Sequence, residues 1–212
     1  MIEARREAMI DSQLRPTGVN DTAVLAAFRA VARERFVPAA AAAIAYSDAA
    51  IEIAPGRALL EPMILGLLLT HAGVAGLRVL VVGAGTGYSA ALLDELGCTV
   101  TALEVDATLT AAARANLAGR GVDVVEGPLT AGWPAAAPYD LILLDGAAAE
   151  LPPALLAQVA EGGRLAGVIV GEDRVGRPTV GRVAVGRFVG SGFAETGAQV
   201  LPGFARAVAF VF

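Results

Sequence analysis

The residues best suited to chemistry in this chain are three glycines spaced by two, Gly83, Gly85 and Gly87, and an acid, Glu104, about twenty residues past the first of them. Four apolar residues, 79–82, run directly into the glycines. A valine-rich run favours a buried strand, and glycines after it allow a tight reversal with no side chains between backbone and ligand. Gly83, Ala84, Gly85, Thr86, Gly87 and Tyr88 are therefore a candidate cofactor loop. Residues 88–96 carry apolar positions at three- and four-residue spacing, which predicts a helix whose free amides and positive end face the same crevice. Gly97 ends it, and 99–103 reads as a second strand that finishes at Glu104, followed by Val105. An acid at that strand end accepts hydrogen bonds from a ribose, in a dinucleotide or in an adenosine-containing sulfonium. The dinucleotide fingerprint needs a third glycine or alanine three positions after the second, and Tyr88 stands there. Its ring would obstruct close helix approach around a pyrophosphate, so S-adenosylmethionine is preferred over a nicotinamide cofactor.

The elements that must position this loop follow from the flanking pattern. Residues 2–14 predict a short amphipathic helix, and Asp21 is placed to cap a second one containing Val24, Leu25, Phe28 and Val31. Turn-prone residues at 46–48 and 55–57 lead to an apolar helix beginning at Pro62 and ending near His71. After Glu104 the alternation continues with a helix over 107–117, strands over 122–125 and 138–145, a helix over 155–159 and a strand over 165–170. Such alternation predicts a mostly parallel sheet covered on both faces. The tail changes period, with strands expected over 182–189 and 205–212 around a glycine-rich connection that has room for a short helix. The expected organisation is an N-terminal helical and substrate-side extension over 1–70 and a cofactor-binding domain over 71–212.

Composition narrows the function classes. The 212 residues carry 16 basic and 21 acidic side chains, for a net charge of -5, and every basic residue is arginine. That balance disfavours non-specific nucleic-acid binding. One histidine and one cysteine cannot build a histidine-rich zinc site or an internal disulfide, so no metal is expected. The apolar run over 62–70 is too short to span a bilayer. The N-terminus has mixed charges and no apolar signal segment, which sets cytoplasmic residence as the expectation. His71 reads as a packing or helix-end residue.

With these motifs in order, the chain resembles the protein-L-isoaspartate O-methyltransferase family of class I S-adenosylmethionine-dependent methyltransferases. The resemblance rests on Gln13-Leu14, Asn20-Asp21, the Arg33-Glu-Arg-Phe-Val-Pro38 segment, Ala45-Tyr-Ser-Asp48, the glycine motif, Pro138-Tyr-Asp140, and 151–153 through the Gly-Gly-Arg-Leu run ending at Leu165. It implies a Rossmann-like α/β fold: a seven-stranded, mostly parallel sheet with a C-terminal antiparallel strand pair and a helical N-terminal extension. It implies methyl transfer from S-adenosylmethionine to the carboxylate of an L-isoaspartyl residue, so that the partner is a damaged protein or peptide. The activated methyl group carries the difficult chemistry, and the protein's share is positioning and desolvation.

Residue by residue, the resemblance places substrate binding on Arg57, Ala58, Leu59, Leu60 and Glu61. It places cofactor contacts on the loop 83–88, Glu104, Val105, Gly127, Leu129 and Asp145, and assigns no covalent catalyst. Several positions depart from the family pattern. Ala58 and Leu60 stand where hydroxyl side chains are usual, Val81 where an acid is usual, Gly127-Pro-Leu129 where Gly-Asp-Gly is usual, and Asp145-Gly-Ala147 where Thr-Ala-Ala is usual. Arg57 is placed to pair with Glu61 or to attract a substrate carboxylate. A methyltransferase for another carboxylate or small molecule, and a noncatalytic binding or regulatory protein with this fold, are the alternatives at this level.

Overall fold

The computed structural model describes residues 2–206. Five parallel strands form the centre: β3 (Arg78–Val82), β4 (Thr99–Glu104), β5 (Val122–Glu126), β6 (Tyr139–Ala148) and β7 (Val159–Val170). Two antiparallel strands, β8 (Gly176–Ala184) and β9 (Arg187–Gly192), extend one edge, giving the order β5-β4-β3-β6-β7-β8-β9. The chain moves outward from β3 to β5 and then returns to β6 on the other side of β3. That reversal opens a crevice beyond the carboxyl ends of β3 and β6, where ligands bind in open α/β sheets. A separate two-stranded hairpin, β1 (Ile51–Ala54) and β2 (Arg57–Leu59), turns at Gly56.

Side-chain alternation along β3 divides the interior into two cores. Val79 and Val81 pack on one face with Leu141 and Leu143, while Leu80 and Val82 pack on the other with Ile142 and Leu144. The helices α1 (Ile2–Met9), α2 (Thr22–Ala30), α3 (Pro62–Ala72) and α4 (Tyr88–Glu95) all contribute to the first core. One core thus joins residues on both sides of position 70. Asp21 caps α2 by accepting from the amides of Ala23 and Val24 at 2.8 and 3.1 Å, worth about 1 kcal/mol. Asp106 does the same for α5 (Ala107–Asn116). No helix among the described residues is long and apolar enough to cross a membrane.

The predicted α/β alternation is present, and three local expectations change. The helix expected over 155–159 is α6 (Pro153–Leu156), because Pro153 fixes its first turn and Val159 already begins β7. Gly162 and Gly163 lie within that strand, where the pairing shifts from Tyr139↔Val159 to Leu141↔Arg164. The single strand expected over 182–189 is a hairpin: Val185 and Gly186 both have positive φ, 50° and 68°, and reverse the chain between β8 and β9. The strand expected over 205–212 lies outside the described residues from 207 onward. In the connection after β9, Leu201 donates to Ala147 O at 2.8 Å and Gln199 O accepts from the Ala147 amide at 2.9 Å. These bonds hold Leu201 over the crevice.

Candidate active site

The glycine loop is built by backbone geometry. Gly83, Gly85 and Gly87 have φ of 76°, 56° and 97°, a region costly for residues with a Cβ. The amides of Gly83 and Ala84 donate to Leu103 O at 2.9 and 3.0 Å, which ties the loop to β4 and brings it beside Glu104. Thr86 is buried, donating through Oγ1 to Phe36 O at 2.6 Å. The Tyr88 ring is packed into the N-terminal layer, 6.3 Å from Phe28, 5.4 Å from Phe36 and 4.9 Å from the Arg33 guanidinium. Burial raises its phenol above the usual range.

Glu104 is fully buried, and its partner is Arg57. The guanidinium spans the carboxylate, with bonds of 2.6 Å to Oε1 and 2.7 Å to Oε2, and it also donates to Gly83 O at 3.0 Å. The amide of Gly85 donates to Oε2 at 2.8 Å, and those of Val105 and Asp106 donate to Oε1 at 2.8 and 3.1 Å. Five donors therefore meet a group with about four lone-pair sites. Of the two roles the sequence left open for Arg57, the pair with Glu61 is not formed; that acid precedes α3 and accepts from Thr196 at 3.1 Å, with its Oε2 buried and unpartnered.

The other candidate residues divide between cleft and core. Ala58, Leu60 and Asp145 line one small cavity with Arg57, Gly146 and Leu201. Leu59 and Leu60 also belong to the first core. Val105 is exposed, Leu129 is buried in the second core, and Gly127 closes the end of β5 by donating to Glu104 O at 2.9 Å. Val81 is fully buried in the first core, which explains an apolar residue on that strand. His71 stacks on Phe193 at 4.3 Å, away from the loop.

Sequence reasoning missed four contributors. Ser89, in the first turn of α4, donates to Asp145 at 2.5 Å. Arg33 is fully buried and donates to Ala45 O at 2.8 Å and to Leu60 O at 2.7 Å, fixing the segment after β2. Ile53 and Leu201 cover the glycine loop: a Cβ at Gly85 would lie 2.7 Å from Ile53 Cδ1, and one at Gly83 the same distance from Leu201 Cδ2. Ser89 stands beside the loop in sequence and was findable there. The other three come from distant segments.

Burial pushes the Asp145 carboxyl up to about 6, against the opposing effects of Ser89 and the nearby arginines. A folded-state value above the unfolded one means the proton stabilises the fold fully below about pH 4, and that contribution is lost as pH rises through about 6. Between pH 4 and 7 the wild type is expected to lose roughly 2–3 kcal/mol relative to Asp145→Asn, measured by urea denaturation across that range. Parallel stability profiles would show that the carboxyl ionises as easily folded as unfolded.

An adenosyl cofactor does not fit this arrangement. Its ribose acceptor is saturated by Arg57 and amides, Ile53 and Leu201 lie on the loop, and the cavity beside them is about 10 Å³, room for one water. The chemistry of the loop and acid suits such a ligand, but the hairpin carrying Ile53 and Arg57 closes the place it would occupy.

Two solved structures share the whole architecture. One is a protein-L-isoaspartate O-methyltransferase with a TM-score of 0.79 at 25% identity, covering 96% of this chain and 66% of its own. The other, from Plasmodium falciparum, is described as a putative enzyme of the same kind in complex with S-adenosyl-L-homocysteine, with a TM-score of 0.78 at 19% identity, covering 94% and 97%. The sheet, its switch point and the glycine loop define an S-adenosylmethionine-dependent methyltransferase fold. In sequence, a protein-L-isoaspartate O-methyltransferase of Methylorubrum populi is 45% identical over 168 residues, 78% of this chain and 79% of that protein. The family model for protein-L-isoaspartate(D-aspartate) O-methyltransferase matches residues 4–176. The chain belongs to that family.

Proposed function

We propose that this protein transfers a methyl group from S-adenosylmethionine to the carboxylate of L-isoaspartyl residues in damaged proteins or peptides. The observation that carries the reading is the family match over 4–176, which includes both the loop-and-acid unit and the segment 57–61 at its lip. This reading requires the hairpin carrying Ile53 and Arg57 to withdraw from the loop; the loop 83–88 and Glu104 would then hold the adenosyl group, with Val105, Gly127 and Leu129 on the adenine side. Asp145 and residues 57–61 face the acceptor. The backbone of the substrate segment is anchored from behind by Arg33 through Leu60 O. With alanine and leucine at 58 and 60, and Arg57 committed to Glu104, that segment offers fewer side-chain donors to a carboxylate, so backbone amides carry the recognition.

A carboxyl methyl ester is labile in base, which separates it from methylation on nitrogen or carbon. Incubation with methyl-labelled S-adenosylmethionine and an aged protein mixture is expected to give base-labile label well above that on freshly prepared protein. Label that survives base, or equal label on both preparations, would count against an isoaspartyl acceptor.

A further inference from the structure

The two edges of the main sheet are not equivalent. At one edge β5 carries Asp123 and Glu126, and Arg114 donates to Val124 O at 3.2 Å; charges and side-chain cover of this kind keep an edge from pairing. At the other edge β9 has neither charge nor proline between Phe188 and Gly192, and among the described residues no strand pairs with its outer side. Val189 is 73% exposed there, and Ser191 is exposed as well. Phe193 donates to Pro178 O at 3.1 Å, so the backbone groups of Val189 and Ser191 also turn inward to β8. By the same alternation Gly190 and Gly192 turn their amides and carbonyls to the open edge.

The sequence of this edge complements itself. Residues 187–195 read Arg-Phe-Val-Gly-Ser-Gly-Phe-Ala-Glu, and an antiparallel copy centred on Ser191 sets Gly190 against Gly192, Val189 against Phe193 and Arg187 level with Glu195. The two glycine pairs are the ones whose hydrogen-bonding groups are open, so each can exchange both of its bonds. Val189 lies on the face where Phe193 packs against the first core and stacks on His71, which gives it an apolar neighbour across the axis. Arg187 and Glu195 are both exposed, the acid with only a 3.4 Å contact to Arg177, so the ends of the pair carry opposite charge.

We propose that β9 pairs antiparallel with β9 of a second copy of this chain, about a two-fold axis at Ser191, joining two seven-stranded sheets into one. Such a contact uses the same patch on both copies and closes on itself, so it yields a dimer and not a filament. A single strand pair is at the low end of specific interfaces, and association is expected to be reversible with a Kd of about 10–100 μM. The inference does not depend on which acceptor receives the methyl group.

The test is sedimentation equilibrium of the full chain and of variants at the axis. Ser191 meets its own copy at a non-hydrogen-bonded position, where opposed side chains lie closest. Ser191→Asp and Ser191→Lys therefore set like charges face to face, and each is expected to weaken association about fivefold. An equimolar mixture of the two sets opposite charges face to face and should associate at least as tightly as wild type. Val189→Lys, at a position already exposed, removes the contact with Phe193 and should weaken association by a similar factor even if a Ser191 variant fails to fold. A wild type that stays monomeric at about 500 μM overturns the proposal, as does a dimer that none of the substitutions weakens. So does a mixture that associates no better than its two components. A monomeric wild type that dimerises once residues 207–212 are removed assigns the edge to the chain's own C-terminal segment, and overturns the proposal as well.

Discussion

Glu104→Ala is expected to destabilise the fold by about 3–5 kcal/mol, because it leaves a buried guanidinium without its carboxylate. In a domain of this size that corresponds to a fall of roughly 10 °C in melting temperature. The amides of Gly85, Val105 and Asp106 lose their acceptor at the same time, so the end of β4 and the glycine loop loosen together. The cost belongs to the uncompensated charge more than to the strength of the pair, and a second substitution separates the two. Arg57→Met combined with Glu104→Gln removes the charge and retains an acceptor for the amides, so the double variant should regain at least about 2 kcal/mol over Glu104→Ala. Chemical denaturation of the three proteins checks this. A double variant no more stable than Glu104→Ala would show that the ion pair itself, and not relief of a stranded cation, holds the loop.

Arg33→Ala should cost a similar amount, about 3–5 kcal/mol, by a different route. It strips two buried carbonyls, Ala45 O and Leu60 O, of their donor and leaves a cavity beneath the Tyr88 ring. Yet Arg33 is not an ideal core residue. Its Nη1 is buried with no partner, as is the Tyr88 hydroxyl, and burial lowers the pKa of the guanidinium. Arg33→Met fills much of the volume and removes the stranded donor and the charge, and unpaired carbonyls are tolerated better than unpaired amides. The methionine variant is therefore expected to lose less than half of what the alanine variant loses, read from denaturation midpoints. Equal losses would assign the stability to the two hydrogen bonds and not to packing. Since Leu60 O is one of those two acceptors, either variant should also raise KM for peptide more than it lowers kcat.

The parts of the molecule legible in sequence are those set by local pattern. The strand–glycine–helix–strand unit from 79 to 104 is found within a residue or two of its expected bounds, because valine runs, glycine turns and helical spacing act over short distances. Asp21 was findable as a cap for the same reason. The hairpin at Val185 was not: Arg182 to Val189 alternates like one strand, and a β-branched residue is a poor signal for the positive φ that reverses the chain there. The turn at Gly56 was visible, but not the two short strands beside it. Least visible of all was the partner of Arg57. Glu104 is 47 positions away, nearer acids such as Glu61 offered a local alternative, and only the tertiary fold lays the hairpin across the end of β4. The same holds for Leu201, which reaches Gly83 through backbone bonds to Ala147.

Two synthetic peptides identical in sequence, one carrying an L-isoaspartyl linkage and the other a normal aspartyl linkage, test the central claim most directly. Each is incubated with the protein and S-adenosylmethionine, and the products are weighed by mass spectrometry and fragmented to locate the added group. The isoaspartyl peptide is expected to gain one methyl group, on the carboxyl of the altered residue, while its normal counterpart is unchanged. No gain on either peptide at high enzyme and cofactor concentrations, or an equal gain on both, would contradict it.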